Sequence, residues 1–506
     1  ITGTQHSVQT KSQPETPKII EGEYIVKFKN QFQGRISEQV AQQVKQLRNQ
    51  ILSERNISKD SIIAEYNYAY KGFAVKVRGQ KLQALKNDPR IARVTPNALF
   101  KLQYQVTNKN QAKKRNTTTT GQSTTWGITR VGGPLDGTGK KAWILDTGID
   151  LDHSDLNVDV DNSASFIAEE SADDQVGHGT HVAGILAAKN NSSDVVGVAA
   201  GATVVAVKVC NSLPANDPES GCPVSSIING VNFVSIKATP EDIINMSLGG
   251  ISSITDVDDA VIDAANSGLR FTISAGNDAI DANNFTPARV EHPNVWTVSA
   301  FRQGDEFVQT FDYQTPNCNP VQDPNSGSNF GNPPIEYAAP GENILSLWKG
   351  GGTLTTCGTS MAAPHIAGLL LTKPNDISTD GFVSNDPDGD PDPIAAYTPF
   401  TVTISGPNFV NHGEPNTWTA QVENAPGPVS YAWFVSDDSN GFSFSWTSTG
   451  VTSQNFTWTF FNDTNQIQPR GIKVLVSSGS ETREATQFIS VGPGADGCQP
   501  GEIICL

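Results

Sequence analysis

Long apolar runs and basic residues are scarce in this chain of 506 residues, and each scarcity excludes a class of protein. No apolar run approaches the roughly 20 residues that a membrane-spanning helix needs, so we expect no membrane span. Lys and Arg number 35 against 52 Asp and Glu, which gives a net charge of −17. Such a chain repels nucleic acids and anionic lipids, so we expect neither as a partner. The length leaves room for two to four domains.

Cysteine is also sparse. There are six cysteines, none of them in the first quarter of the chain, and no pair combines zinc-ligand spacing with a nearby His. The close pairs Cys210/Cys222 and Cys498/Cys505 are typical of disulfides in an exported protein, which predicts secretion. Six cysteines allow many pairings, and Cys318 with Cys357 is one of them. The chain begins at Ile1 and not at Met, so we expect that a leader has been removed.

Three segments place an Asp, a His and a Ser where a loop meets a strand or a helix. Residues 141–150 form an apolar run that ends in Asp146 and a glycine turn, as at the C-terminal end of a buried parallel strand. His178 lies in a glycine turn before an apolar helix pattern. Ser360 follows a glycine-rich loop at the start of another helix, near unpaired N–H groups and the positive end of the helix dipole. Small residues at a helix start often only permit close packing, but the three segments together favour a catalytic site.

These motifs resemble those of the subtilisin-like serine proteases, and within them the proteinase K-like branch. The matching segments are 145–148 (Leu-Asp-Thr-Gly), 177–181 (Gly-His-Gly-Thr-His), 358–364 (Gly-Thr-Ser-Met-Ala-Ala-Pro) and 274–277 (Ser-Ala-Gly-Asn). The last matches the oxyanion-hole segment of the family and implies that Asn277 donates to the oxyanion. The resemblance covers roughly residues 126–371 and implies a serine endopeptidase that acts on proteins and peptides.

The residue chemistry agrees with that implication. A serine hydroxyl is a weak nucleophile until a base takes its proton, and His178, with an ordinary pKa of about 6.5, suits that task. Asp146 would accept the other imidazole N–H and fix the tautomer. Ser360 would then attack a peptide carbonyl and give an acyl-enzyme. The Gly-x-Ser-x-Gly elbow of lipases and esterases is absent, which disfavours that reading.

Substrate recognition is implied by the resemblance alone. Ser247, Leu248 and Gly249 match the strand that pairs with substrate backbone, and Ala275 and Gly276 match the lining of the first specificity pocket. Backbone pairing tolerates many sequences, and small pocket residues leave room for large side chains. We therefore expect broad specificity with an apolar or aromatic preference. The alternative is a binding or adhesion protein on an inactive protease scaffold, which the complete set of catalytic residues disfavours.

Residues 21–102 are predicted to form a small α+β domain. The patterns give the order βαββαβ, the ferredoxin-like plan, and the segment resembles the inhibitory propeptides of this family; an unrelated binding domain is the alternative. Residues 1–115 hold 21 Lys and Arg against 8 Asp and Glu, whereas the rest of the chain holds 14 against 44. Opposite charge would draw the two parts together. The resemblance implies an autoprocessed zymogen inhibited by its own propeptide.

The polar segments on either side of this domain have their own predictions. Residues 1–20 are expected to be disordered. Residues 103–121, which include Lys113-Lys114-Arg115, are expected to be the linker in which maturation cuts fall.

Residues 122–373 alternate strand and helix patterns. This predicts a doubly wound α/β fold, with a parallel sheet covered on both faces and a site beyond the C-terminal ends of its strands. Residues 374–396 are acidic and Pro-rich, and are predicted to be a linker. Their spaced carboxylates could hold a structural Ca²⁺, although the chemistry needs no cofactor. Arg302 stands where the branch carries an acidic calcium ligand, so we do not expect that metal site, and no metal ligands are assigned.

Residues 397–492 show strand-like runs separated by turns, which predicts a β-sandwich. The segment resembles the immunoglobulin-like or PKD-like modules of secreted bacterial hydrolases. Trp418, Trp433, Trp446 and Trp458 are expected in its core. Residues 493–506 are a Cys-containing tail. We expect the whole protein to be a monomer.

Overall fold

The computed structural model describes residues 17–29, 37–101, 121–214, 217–251, 254–311, 326–374, 377–425, 427–436, 445–464, 466–478 and 481–494. The chain divides into two compact units, residues 1–397 and 398–506. Among the helices of these described ranges, none is long and apolar enough to cross a membrane.

The N-terminal domain has the predicted order of elements: β1 (Lys18–Phe28), α1 (Glu38–Glu54), β2 (Ile62–Asn67), β3 (Lys71–Lys76), α2 (Gly79–Lys86) and β4 (Ile91–Phe100). The strands form an antiparallel sheet in the order β4-β1-β3-β2. Both helices cover one face of it, over a core that includes Val44, Phe73 and Leu85. The ferredoxin-like prediction is therefore confirmed. The sequence pattern predicts the last strand over residues 91–95, whereas β4 continues to Phe100 and pairs there with the next domain.

The peptidase domain follows from residue 121 onward. Its helices are α3 (Trp126–Arg130), α4 (His178–Ala187), α5 (Val224–Lys237), α6 (Asp256–Ala265) and α7 (Thr359–Thr372). Its strands are β5 (Leu135–Asp136), β6 (Lys141–Asp146), β7 (Asn157–Val158), β8 (Ala164–Ser165), β9 (Ala199–Ala200), β10 (Thr203–Lys208), β11 (Cys222–Pro223), β12 (Ile243–Met246), β13 (Gly250–Ile251), β14 (Phe271–Ser274), β15 (Phe285–Thr286), β16 (Val295–Arg302), β17 (Glu306–Phe307), β18 (Ile335–Pro340), β19 (Ile344–Trp348), β20 (Gly352–Thr356), β21 (Ser378–Phe382) and β22 (Pro393–Ala396).

The central sheet runs in the order β21-β22-β18-β16-β14-β12-β6-β10-β7, and all of these strands except β21 are parallel to their neighbours. Helices α4 and α7 share an apolar core on one face, and α5 and α6 share another on the opposite face. Strands buried on both faces read as continuous apolar runs, which is why their positions were predictable. The doubly wound parallel sheet is confirmed.

The segment 374–396 differs from its prediction as a linker. Strands β21 and β22 pair with each other, and β22 joins the central sheet beside β18. Asp392 is 2% exposed and accepts a hydrogen bond from Ser299 of β16. Burial raises the pKa of Asp392 to about 8. This acidic segment is therefore part of the peptidase domain, because its backbone extends the sheet.

The second unit contains β23 (Thr401–Ser405), β24 (Phe409–Val410), β25 (Pro415–Glu423), β26 (Val429–Ser436), β27 (Thr447–Ser448), β28 (Asn455–Thr459), β29 (Gln468–Ser478) and β30 (Glu481–Val491). They form one sheet of three strands and one of five, which share a core that includes Trp418 and Trp433. Trp458 packs at the edge of that core, whereas Trp446 lies half-buried beneath Lys473. The unit is a β-sandwich, and Trp446 is the exception to the predicted core.

The disulfide Cys210–Cys222 is confirmed. The predicted disorder of residues 1–20 is wrong at Lys18, Ile19 and Ile20, which lie in strand β1, and residues 1–16 lie outside the described part of the chain. The following predictions also lie outside it: the maturation linker from residue 103 to 120, the Cys318 side of the Cys318/Cys357 pairing, and the pair Cys498/Cys505 in the tail. Cys357 itself is disulfide-bonded.

Candidate active site

Asp146 ends strand β6, at the point where the strand order of the sheet reverses. Strand β6 lies between β10 and β12, and the ends of such strands are where open α/β sheets bind ligands. The side chain is fully buried. Its Oδ1 accepts a hydrogen bond from Thr147 N–H at 2.7 Å, and its backbone oxygen accepts from Val209 and Cys210 at 2.9 and 3.2 Å. The bond from Thr147 orients the carboxylate, and the two backbone bonds fix the end of the strand that carries it.

His178 is the first residue of α4. Gly177 precedes it with a φ of 113°, and a Cβ at that position would lie 2.3 Å from the Trp348 ring, so only glycine fits. The imidazole Nδ1 lies 2.7 Å from Asp146 Oδ1, and His178 is 2% exposed. The structure thus brings two of the predicted residues together in the geometry by which a carboxylate fixes an imidazole tautomer.

Ser360 is the second residue of α7, and Ser247 holds it from two directions. Ser360 Oγ donates to the Ser247 carbonyl oxygen at 3.3 Å, and Ser247 Oγ donates to the Ser360 carbonyl oxygen at 2.9 Å. The second bond has a clear cause. Pro364 has no N–H, so the Ser360 carbonyl lacks its helical donor, and the Ser247 hydroxyl replaces it. Sequence reasoning gave Ser247 a substrate role and missed this one.

Asn277 follows strand β14 and is fixed on the N-terminus of α7. Its Oδ1 accepts from both the N–H and the hydroxyl of Thr359, each at 2.8 Å. The Thr359 hydroxyl oxygen also accepts from Gly276 N–H at 3.1 Å. With its oxygen occupied, the carboxamide has its Nδ2 donors on the side of Gly358, where a Cβ would lie 3.3 Å from Nδ2. The Nδ2 of Asn277 thus lies beside Gly358, two residues before Ser360, and its role as an oxyanion donor stays a prediction.

The electrostatics of His178 are set by two carboxylates. Burial lowers the pKa of the imidazole, but the charge and hydrogen bond of Asp146 and the charge of Asp174 outweigh burial, and the net result is a raised pKa. A proton taken by His178 is therefore stabilised, as a general base requires.

Asp174 is a buried carboxylate that sequence reasoning missed. Its Oδ1 accepts from Thr147 Oγ1, Val176 N–H and Gly177 N–H at 2.8–2.9 Å. Its Oδ2 accepts from the N–H and hydroxyl of Thr180 at 3.0 and 2.7 Å. This single side chain joins the turn after Asp146 to the start of α4. The sequence carries no local signal for this role, because Asp174 lies three residues before Gly177, the N-cap of α4.

Three of the other histidines of the peptidase domain, His153, His181 and His365, have structural environments. His181 Nε2 lies 3.0 and 3.2 Å from the backbone oxygens of Leu354 and Ile344, and burial lowers its pKa to about 3. His365 Nδ1 lies 2.8 Å from the Met361 oxygen within α7. His153 Nδ1 accepts from Asp155 N–H at 3.2 Å. All three are buried, as expected for packing and capping roles.

The predicted substrate residues lie in the segments that follow β12 and β14, and we call the space beside these segments the cleft. Ser247, Leu248 and Gly249 lead from β12 into β13, and a Cβ on Gly249 would lie 2.4 Å from the Phe285 ring. Ala275 is fully buried. Gly276 has a φ of 103°, and a Cβ on it would lie 2.3 Å from Asn329 Nδ2. Close packing explains both glycines, and the substrate role of the five residues stays a prediction.

The end of strand β4 lies along this cleft. Leu99 and Phe100 pair antiparallel with Pro223 and Cys222 of β11. Phe100 is 1% exposed and packs on Gly250, where a Cβ would lie 2.8 Å from its ring. The N-terminal domain therefore adds a strand to the peptidase domain in the manner of an extended peptide.

The loop after α4, residues 188–196, which we call the Gln122 loop, places four oxygen atoms around the side chain of Gln122. Its Nε2 lies 2.6 Å from Lys189 O, 3.1 Å from Val195 O, and 3.4 Å from both Asn191 Oδ1 and Ser193 O. A carboxamide nitrogen can donate only two hydrogen bonds. The site therefore holds more acceptors than Gln122 can satisfy.

A buried carboxylate lies beside these oxygen atoms. Beside the Gln122 loop, Asp155 Oδ1 accepts from Asn191 Nδ2 at 2.6 Å, while its buried Oδ2 has no hydrogen-bond partner in the described part of the chain. Among those same residues, no group of three or more His, Cys, Asp or Glu side chains is placed to share a metal ion. Calcium bound in segment 374–396 stays a prediction.

Comparison with known proteins agrees with this geometry. Residues 137–373 match the model of the Subtilase family, and residues 23–103 match that of Peptidase inhibitor I9. Subtilisin-like protease 5 of Trichophyton tonsurans is 32% identical over 63% of this chain and 72% of its own. Subtilisin-like protease 5 of Arthroderma otae is 30% identical over 72% of this chain and 84% of its own. The crystal structure of a cold adapted subtilisin-like serine proteinase is 29% identical, covers 55% of this chain and 99% of its own, and has a TM-score of 0.42.

The two family-model matches and the two relatives, with the parallel sheet and the Asp–His pair, define the class: a subtilisin-like serine endopeptidase with an inhibitory N-terminal domain, that is, a serine protease zymogen. The chain belongs to the subtilase family. The C-terminal β-sandwich lies outside both family matches, and its likeness to immunoglobulin-like or PKD-like modules stays a prediction.

Proposed function

We propose that this protein is a secreted serine endopeptidase that cuts proteins through Asp146, His178 and Ser360, with Asn277 as an oxyanion donor. The observation that carries the proposal is the buried 2.7 Å contact between His178 Nδ1 and Asp146 Oδ1. That contact leaves the Nε2 of the neutral ring as the acceptor for a serine proton. The buried disulfide Cys210–Cys222 supports an extracytoplasmic location, since disulfides persist in oxidising compartments.

The reaction follows from the roles of these groups. His178 takes the Ser360 proton as Oγ attacks the peptide carbonyl, and the resulting imidazolium is stabilised by Asp146. The oxyanion receives N–H donors from the Asn277 carboxamide and the Ser360 backbone, at the positive end of α7. His178 then protonates the leaving amine, the carbon–nitrogen bond breaks, and water hydrolyses the acyl-enzyme by the same steps in reverse.

Asn277→Ala is expected to lower kcat by about 10²- to 10³-fold with little change in KM, because the oxyanion exists only after attack. The measurement is steady-state hydrolysis of a chromogenic peptide. Thermal unfolding of the variant should be followed in parallel, since Asn277 Oδ1 also caps Thr359. An equal loss in kcat with Thr359→Val, which keeps Asn277, would point to helix positioning and not to a donor.

Self-processing and apolar specificity complete the proposal. The N-terminal domain already lies in the cleft through Leu99 and Phe100, so the segment after Phe100 is delivered toward the catalytic residues. Phe100 packs within the apolar core that contains Ile227 and Leu248, which supports a preference for apolar or aromatic side chains. We expect the protein to cut its own chain between residues 103 and 121. We also expect it to be a monomer.

The test is an expression time course of wild type beside Ser360→Ala, followed by mass spectrometry and casein hydrolysis. The proposal expects the wild type to lose its N-terminal domain and digest casein, and Ser360→Ala to stay full length and inert. If both chains stay full length and neither digests casein, the chain is a binding protein on an inactive scaffold. Digestion of casein by Ser360→Ala would assign the nucleophile elsewhere.

We also propose that the Gln122 loop holds a structural Ca²⁺. The supporting observation is the surplus of oxygens around Gln122, together with the unpartnered Oδ2 of Asp155, because Ca²⁺ prefers six to eight oxygen ligands. With Gln122 turned to present its oxygen, all of these groups would be ligands. The ion would brace the loop that follows α4 and take no part in the chemistry.

Chelation by EGTA is therefore expected to lower Tm by roughly 5–10 °C, since a ligand at about 100 times its Kd adds about 2.7 kcal/mol to the free energy of unfolding. The measurement is calorimetry on Ser360→Ala, which cannot digest itself. Asp155→Asn in that background should lose most of the EGTA effect, whereas Asp161→Asn, at an exposed carboxylate, should keep it. A Tm unaffected by EGTA in all three proteins would remove calcium from the account.

A further inference from the structure

One strand of the N-terminal domain makes two separate contacts with the peptidase domain. At its C-terminal end, β4 places Phe100 in the cleft, where it pairs with Cys222. Seven residues earlier, the same strand places Arg93 on the start of helix α6. Because a substrate enters the cleft as an extended chain, the path of β4 shows where the upstream part of such a chain can run.

The contact at α6 is ionic. The Arg93 guanidinium lies 2.8 Å from Asp256 Oδ1 and 2.5 Å from Asp259 Oδ2. Lys27 Nζ lies 2.7 Å from Asp259 Oδ2, and the Tyr70 hydroxyl donates to Asp256 Oδ1. A guanidinium bridging two carboxylates makes the stronger, charge-assisted class of hydrogen bond.

These two carboxylates differ from their neighbour Asp258 in where their cation comes from. Asp258 Oδ2 pairs with Arg289 of the peptidase domain itself, at 2.6 Å. In the described structure, Asp256 pairs with Arg93, and Asp259 pairs with both Arg93 and Lys27, which belong to the N-terminal domain. Asp256 is fully buried beneath that domain, and its Oδ2 has no hydrogen-bond partner among the described residues. When the N-terminal domain is lost on maturation, Lys27 and Arg93 leave with it. Asp256 and Asp259 are then uncovered without these two cations.

We propose that, in the mature enzyme, Asp256 and Asp259 form a distal recognition site for a basic residue of the substrate. The residue recognised lies seven positions before the one that takes the place of Phe100. The inference rests on the proposed function and adds a specificity determinant far from the scissile bond. Its ligand is an Arg or Lys side chain of a polypeptide, for which Arg93 is the example seated in the structure.

Distance and energy are both consistent with this role. Seven residues of extended chain span about 23 Å at 3.3 Å per residue, which the ten-residue strand β4 provides. A second anchor on a tethered chain acts through effective concentration, even where its own affinity is weak. Exposed ion pairs are screened by salt, so the gain should be largest at low ionic strength. We expect about three- to tenfold in kcat/KM.

The test uses matured wild-type enzyme and quenched fluorescent peptides with the sequence of residues 90–110. One peptide carries Arg93→Gln. Its matched control carries Arg90→Gln, the same loss of charge at a residue that in the structure binds Asp88 and Glu54 of its own domain. The proposal expects Arg93→Gln alone to lower kcat/KM three- to tenfold in dilute buffer, with the difference shrinking in 0.5 M salt, well above physiological screening.

An enzyme variant completes a double-mutant cycle with these peptides. In Asp256→Asn/Asp259→Asn, Arg93→Gln should no longer matter, while cleavage of a short peptide that ends before this site should be unchanged. Equal kcat/KM for the Arg93→Gln and Arg90→Gln peptides in wild type overturns the distal site and leaves the proposed function standing. A matured enzyme that cleaves neither these peptides nor the short one overturns the proposed function, and the distal site with it.

Discussion

Replacing Ser360 with alanine is expected to lower kcat by about 10⁶-fold, or about 8 kcal/mol of transition-state stabilisation. The alanine variant has no oxygen to form the acyl-enzyme, and His178 then has no nucleophile to activate. The fold should persist, because the Ser360 backbone keeps its bond from Ser247 Oγ. Residual hydrolysis would come from the oxyanion donors and from substrate binding alone.

This loss is measured on chains freed of the N-terminal domain by an unrelated protease, through a recognition site inserted between residues 102 and 121. Wild type carrying the same insertion is the control. Ser360→Cys is a useful companion, because it restores a nucleophile of nearly the same size. A fall in kcat of less than about 100-fold in Ser360→Ala, within the range of losing one oxyanion donor, would be inconsistent with a serine nucleophile at this position.

Asp146→Asn should lower kcat by about 10⁴-fold while leaving the fold intact. Asp146 Oδ1 accepts from Thr147 N–H and from His178 Nδ1 at 2.7 Å each. In one orientation, the side-chain oxygen of the asparagine still accepts from Thr147 N–H, and its NH₂ group points away from His178. In the other orientation, the NH₂ group donates to His178 Nδ1. In the second case the ring proton moves to Nε2, and His178 can no longer accept the Ser360 proton.

The same variant has a signature in the pH profile. Only neutral His178 acts as base, so kcat/KM rises as pH increases through the pKa of His178. Burial lowers that pKa, and the Asp146 charge and hydrogen bond, with Asp174, raise it above the ordinary value. Removing the Asp146 charge leaves burial opposed only by Asp174, so the acidic limb should move to lower pH. The control variant Asp161→Asn, at an exposed carboxylate, should change neither kcat nor the pH of the acidic limb of the kcat/KM profile.

The candidate catalytic residues lie in short sequence motifs, and their positions were therefore predictable from the sequence. Asp146 follows an apolar run, whereas His178 and Ser360 precede apolar helix patterns, so local patterns placed them at a strand end and at two helix starts. Asn277 was assigned from the resemblance of residues 274–277 to the family's motif. The ferredoxin-like order of the N-terminal domain was readable for the same reason, since each strand and helix has its own periodicity.

Contacts between segments far apart in the chain were not predictable in this way. Ser247 supplies the hydrogen bond that Pro364 removes from α7, across 113 residues. Asp174 reads as a loop residue until the fold places Thr147 and Thr180 around it. Segment 374–396 looks like a linker because its composition is acidic and Pro-rich, yet its backbone completes a sheet whose neighbour, β18, lies some 50 residues earlier.

Labelling with a fluorophosphonate tests the central claim most directly, because such reagents phosphonylate a serine only where a base and oxyanion donors activate it. Matured wild type would be treated with the reagent, digested and read by mass spectrometry. The account predicts one adduct, on the peptide that contains Ser360, and its near-complete loss in Asp146→Asn. No adduct in wild type, or an adduct on another serine, would contradict the claim that Asp146, His178 and Ser360 work as one unit.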